Sequence, residues 1–128
     1  MAVQLNHTIV TAHDAEQSAR WFAEVFGVEA PEHLGHFWQV TTANDVALDF
    51  ASAGEGEIAS QHYAFLVSED EFDAIFGRVL GLGLEHWADP ARRRPGEINR
   101  DDGGRGVYFP SADGHFLEII TRPYGSGG

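Results

Sequence analysis

Two histidines and a glutamate stand where strand-like runs would set them among apolar neighbours. Alternation along "LNHTIV" puts Leu5, His7 and Ile9 on one face. Along "SQHYAFLV" it groups His62, Ala64 and Leu66, and along "HFLEIIT" it groups Phe116, Glu118 and Ile120. A charge buried in such a run costs several kcal/mol unless a counter-charge or metal compensates. Two imidazoles and one carboxylate are the ligands of the two-histidine, one-carboxylate facial triad, which leaves coordination positions open for substrate or oxygen. Taken singly, each residue is more simply explained as an edge residue or a hydrogen-bonded core polar group. What joins them is a repeat, because both histidines occupy matching positions of a duplicated unit.

Asp49 in "VALDFA" is the first-half counterpart of Glu118 in "FLEII". It is a candidate fourth ligand, which would suit a redox-neutral metal enzyme, or else an acid or base one step back from the metal. Tyr108 is a candidate proton donor or substrate hydrogen bond, and a core tyrosine would look the same. The run Arg92, Arg93, Arg94 can meet an anionic substrate or simply face solvent. Phe37, Trp38 and Trp87 are candidate pocket walls. His13, His33 and His36 fall near turns and read as solvent-facing, and His86 and His115 as structural or turn residues.

The elements that must position these groups are written twice. The run Leu5 to Val10 is followed by an N-capping signal, Asp14 with Gln17, a stripe of Phe22, Val25 and Phe26, and a stop at Gly27. The run Ser60 to Val67 is followed by Ser68 with Glu71, a stripe of Phe72, Ile75, Phe76, Val79 and Leu80, and a stop at Gly81. Strand candidates come next in each half: 36–42 and 45–51, then 105–110 and 115–121. The stretch "AGEGE", Ala53 to Glu57, reads as the joint. Residues 88–106 carry two prolines, four glycines and five arginines without periodicity, so they read as a long functional loop able to close over a ligand. The ending "RPYGSGG" reads as a fraying tail.

Composition removes other chemistries. The chain has 128 residues, 43% of them hydrophobic, enough for one domain with a real core. No cysteine means no disulfide, thiolate ligand or thiol nucleophile, and no lysine means no Schiff base. A formal charge of −12 argues against nucleic acid as a partner. No apolar run approaches the ~18 residues of a membrane span, and residues 1–12 carry no secretory signal. The expectation is a cytoplasmic protein whose partner is a small molecule.

Together, "LNHTIV", "SARWFAEVFGVE", "SQHYAFLV" and "GVYFPSADGHFLEII" resemble the vicinal oxygen chelate superfamily of glyoxalases, extradiol dioxygenases, fosfomycin resistance enzymes and bleomycin resistance proteins, over nearly the whole chain. The resemblance implies an α+β fold, with two βαβββ modules (about 1–54 and 55–124) in a single domain, 1–128, forming a cupped mixed sheet, usually in a homodimer. It places the metal ligands at His7, His62 and Glu118, with Fe(II) expected first and Mn(II), Ni(II) or Zn(II) as other candidates. The implied chemistry is dioxygenation of an aromatic, catechol-like substrate, with Tyr108 and Asp49 moving protons. A glyoxalase-like isomerase or lyase and a metal-free drug-binding protein are the alternatives.

Overall fold

The computed structural model describes residues 2–127. Its elements, in order, are β1 (His7–Ala12), α1 (Ala15–Phe26), β2 (Glu32–Leu34), β3 (Phe37–Thr41), β4 (Ala47–Ser52), β5 (His62–Leu66), α2 (Glu69–Gly81), β6 (Gly106–Pro110) and β7 (Phe116–Ile120). A 3₁₀ turn occupies Asp101–Gly103. The chain divides into two compact units, residues 1–58 and 59–128. The architecture is α+β, two mixed sheets with one α-helix in each unit.

In the first unit the strand order is β1-β4-β3-β2, with β1 parallel to β4 and the other pairs antiparallel. Asp14 caps α1 by accepting the Gln17 N–H, and Gly27 ends it in the left-handed conformation at φ 68. Glycine adopts that conformation at little steric cost. Phe22, Ala23 and Val25 of α1 are buried, as are Val10, Val40, Leu48 and Phe50 of the sheet. Those four share one side of the sheet by register.

The second unit has the order β5-β7-β6, with β5 parallel to β7 and β6 antiparallel to it. Its helix starts in a reciprocal capping box: Glu71 N–H donates to Ser68 Oγ, and Ser68 N–H donates to the Glu71 carboxylate. The helix runs through Gly81, with Leu82 as its C-cap, and the left-handed residue is Gly83. Phe72, Ile75 and Val79 are buried on α2, and Val107, Phe109, Leu117 and Ile119 are buried in the sheet, whereas Leu80 is exposed.

Among the described residues only three strands form in this unit. The segment around Trp87 makes isolated bridges to Tyr108 and Pro95, and Asn99 bridges Gly106. The long loop of 88–106 is therefore pinned at both ends along β6. The reason is local: Asn99 is 4% exposed, donates from Nδ2 to the Ala88 carbonyl and accepts the Asp101 N–H. Asn99→Ala leaves both backbone groups unpaired, so a loss of about 1–3 kcal/mol is expected. Urea unfolding checks it, and hydrogen exchange within 88–106 should quicken in the variant. The described part of the C-terminal segment, up to Gly127, makes specific contacts. The Asp102 carboxylate accepts the Gly125 and Gly127 N–H groups, and the Tyr124 and Tyr108 hydroxyls lie 3.0 Å apart.

Candidate metal centre

β7 is the middle strand of the second sheet, so a side chain on it is flanked on both sides. Glu118 registers with Ala64 of β5 and Tyr108 of β6, and it is 1% exposed. His62 registers with Phe116, two residues before Glu118 and on the same face. His62 Nε2 lies 3.0 Å from Glu118 Oε1, with the imidazole about half exposed at the rim. The second carboxylate oxygen, Oε2, is buried without a hydrogen-bond partner.

The other imidazole nitrogen fixes the chemistry of this pair. His62 Nδ1 lies 3.0 Å from the Phe116 carbonyl oxygen. A carbonyl oxygen only accepts, so Nδ1 carries the hydrogen and Nε2 is left to face the carboxylate. A bare lone pair against a carboxylate oxygen is repulsive, so the pair needs a shared proton or a cation. Burial pushes the Glu118 carboxyl up from the ordinary carboxylate range, with the Tyr108 hydroxyl and then His62 partly opposing that shift. An imidazole oriented through Nδ1, a buried carboxylate and one oxygen with no partner suit a divalent ion with nitrogen and oxygen ligands.

Aromatic rings continue from the pair. Tyr108 stacks near His62 at 5.9 Å, Phe116 stacks on Tyr108 at 5.3 Å, and Trp87 meets Phe116 at 5.9 Å. The Tyr108 hydroxyl is strongly raised from its usual pKa, first by burial and then by the neighbouring Glu118 carboxylate, so it stays protonated as a donor.

In the first unit, His7 opens the edge strand β1, exposed, with Nδ1 2.7 Å from Asn6 Oδ1. The register Ile9–Asp49–Gln39 puts these three side chains on the face opposite the buried one, together with His7, Phe37 and Ala51. Gln39 Nε2 donates to Asp49 Oδ1 at 2.8 Å.

The match to known proteins spans the molecule. The family model of the Glyoxalase/Bleomycin resistance protein/Dioxygenase superfamily covers residues 4–119. The chain belongs to this superfamily. Among solved structures, oxidase ChaP-H1 is 60% identical with a TM-score of 0.93 over 97% of this chain and 99% of its own. Oxidase ChaP-H2 is 59% identical with a TM-score of 0.95 over all of both chains. Metallothiol transferase FosB of Shouchella clausii (strain KSM-K16) is 29% identical over 122 residues, 91% of this chain and 79% of that protein.

Of the residues singled out in the sequence, the superfamily fold brings His62, Glu118 and Tyr108 together, with Trp87 beside them. His7 and Asp49 share the open face of the first sheet. Among the described residues no cluster of three or more His, Asp or Glu side chains is assembled. Trp38 is not on the face of Phe37 and Asp49. Strand alternation turns it to the side of Phe50, where it stacks on His33 at 4.5 Å with the Arg20 guanidinium 5.2 Å away. His115 is 1% exposed and its Nδ1 accepts the Gln61 N–H, which ties the last turn to β5.

Sequence reasoning did not single out Phe116 as a wall or Tyr124 as a partner of Tyr108. The position of Phe116, two residues before Glu118 on one strand face, was the available signal. Tyr124 had none, because its contact depends on where Asp102 holds the tail.

Proposed function

We propose that the protein is a divalent-metal oxygenase or oxidase acting on an aromatic substrate that presents two neighbouring oxygens, with His7, His62 and Glu118 as ligands and Fe(II) as the metal. The observation that carries this reading is the His62–Glu118 pair, with its unpartnered Oε2, set at the end of a wall of aromatic rings. The names of the two oxidases at about 60% identity support the oxidative class. When bound, the metal would acidify a chelating hydroxyl and hold substrate beside oxygen.

The chain's own groups supply the rest. Nδ1 of His62, donating to the Phe116 carbonyl, keeps Nε2 pointed inward. Phe116 and Tyr108, stacked on each other, form an apolar wall beside the pair, and the Tyr108 hydroxyl, kept protonated, donates to a substrate oxygen. Asp49, held by Gln39, accepts a proton from the substrate. A cytoplasmic homodimer completes the proposal, and sedimentation reads its oligomeric state.

Anaerobically purified protein should contain about one iron per chain and, with a catechol-type aromatic, consume oxygen in proportion to product. His7→Ala and His62→Ala should each lower metal occupancy while the circular dichroism spectrum is retained. Turnover without oxygen uptake would move the assignment to a lyase or isomerase. Protein that keeps full metal in both variants would remove the ligand set.

A further inference from the structure

Arg92 sits in the left-handed region at φ 59, a conformation that costs a non-glycine residue on the order of 1–2 kcal/mol. The turn that puts it there is built carefully. Arg92 N–H closes on the Asp89 carbonyl, and the Asp89 carboxylate accepts the N–H groups of Arg93 and Arg94. The backbone bond from Arg93 first, then the bond and charge of Arg94, hold the Asp89 carboxyl below the usual range, and among the described residues Asp89 forms no ion pair with Arg92.

The Arg92 guanidinium lies over two rings at once, 4.8 Å from the Trp87 centroid and 4.7 Å from the Phe116 centroid. Among the described residues it has no carboxylate partner. Arg94 pairs with Glu97, and Arg105 pairs with Glu69 and Asp73. The planar guanidinium fork matches a carboxylate, and Arg92, held over the two rings without an ion-pair partner, can offer that fork to a ligand. Phe116 also touches His62, so this cation stands one ring away from the candidate metal pair.

We infer that Arg92 is a specificity-determining residue that binds an anionic group, a carboxylate or phenolate, on the aromatic substrate at the end remote from the metal. The inference rests on the oxygen-chelating reading of the site, and it narrows the substrate class to planar aromatic acids. Backbone strain at a residue whose side chain lies over the site is what a binding role would retain, since glycine would fit the same turn at lower cost.

Calorimetric titration of the metal-loaded protein under nitrogen tests it with three probes. 3,4-Dihydroxybenzoate carries the anion and the vicinal oxygens, 3,4-dihydroxybenzamide lacks the charge, and 2-naphthoate lacks the vicinal oxygens. Wild type should prefer the benzoate over the benzamide. Arg92→Gln and Arg92→Gly should each weaken the benzoate by roughly 10- to 100-fold, the value of a charge-assisted hydrogen bond, and leave the benzamide unchanged. Arg92→Gly should also melt at a higher temperature than wild type, because glycine relieves the strain. An arginine that only staples the rings would lower the melting temperature and leave selectivity intact. No preference in wild type, or a preference that survives both substitutions, overturns the inference. If the catechols fail to bind but 2-naphthoate binds and depends on Arg92, the anion site stands and the oxygen-chelating reading falls.

Discussion

Glu118→Gln is expected to abolish metal binding and, in metal-free protein, to raise the melting temperature by an amount that grows as pH rises. The two effects have one cause. Glu118 is buried in the middle strand with Oε2 unpartnered, and burial raises its folded-state pKa above the unfolded value. A carboxyl with a raised folded pKa contributes stability that is fully present below the unfolded pKa and is lost as pH rises through the folded pKa. The metal-free wild type loses that contribution progressively as pH rises, whereas glutamine carries no charge at any pH. Its amide can also donate to His62 Nε2. Melting curves of the two metal-free proteins should therefore converge in mild acid and separate as pH rises, by several degrees for an effect of about 1 kcal/mol. Metal affinity should fall by more than the roughly 100-fold that marks loss of a supporting hydrogen bond. A variant that melts below wild type at every pH would mean that the carboxylate is held by something other than a cation.

Asp49→Asn is expected to keep its metal while turnover falls by roughly 10²- to 10⁴-fold, the range of general acid–base catalysis. The substitution preserves size and the oxygen that accepts from Gln39, so the first sheet should be unaffected. Only the charge and the basicity disappear. The hydrogen bond from Gln39 already occupies one carboxylate oxygen, which suits a group that takes a proton better than one that fills a coordination position. Metal analysis and steady-state kinetics on the same sample separate the outcomes. Loss of metal together with activity would make Asp49 a ligand and favour redox-neutral chemistry, and unchanged activity would remove it from the site.

Much of this protein is legible in the residues themselves, because the signals are local. The caps at Asp14 and Ser68 and the left-handed Gly27 depend on backbone groups within a few positions, and the helices form where those signals stand. The period-two grouping of Phe116, Glu118 and Ile120 holds because strand alternation needs no knowledge of partners. The same rule, applied to Trp38, would have removed it from the wall. The α+β class and the superfamily were likewise visible in the duplicated strand, helix and strand pattern with its matched histidines. Tertiary structure alone decided the rest, since those features depend on which side chains the fold sets next to one another. Register brought His62 to Glu118 across 56 positions and aimed its ring through the Phe116 carbonyl. Buried Asn99 converted an aperiodic loop into a pinned one, and Asp102 drew the tail back so that Tyr124 meets Tyr108. Of three consecutive arginines, the turn at Asp89 directed one onto the aromatic wall, because a left-handed residue reverses the chain at a position that composition does not mark.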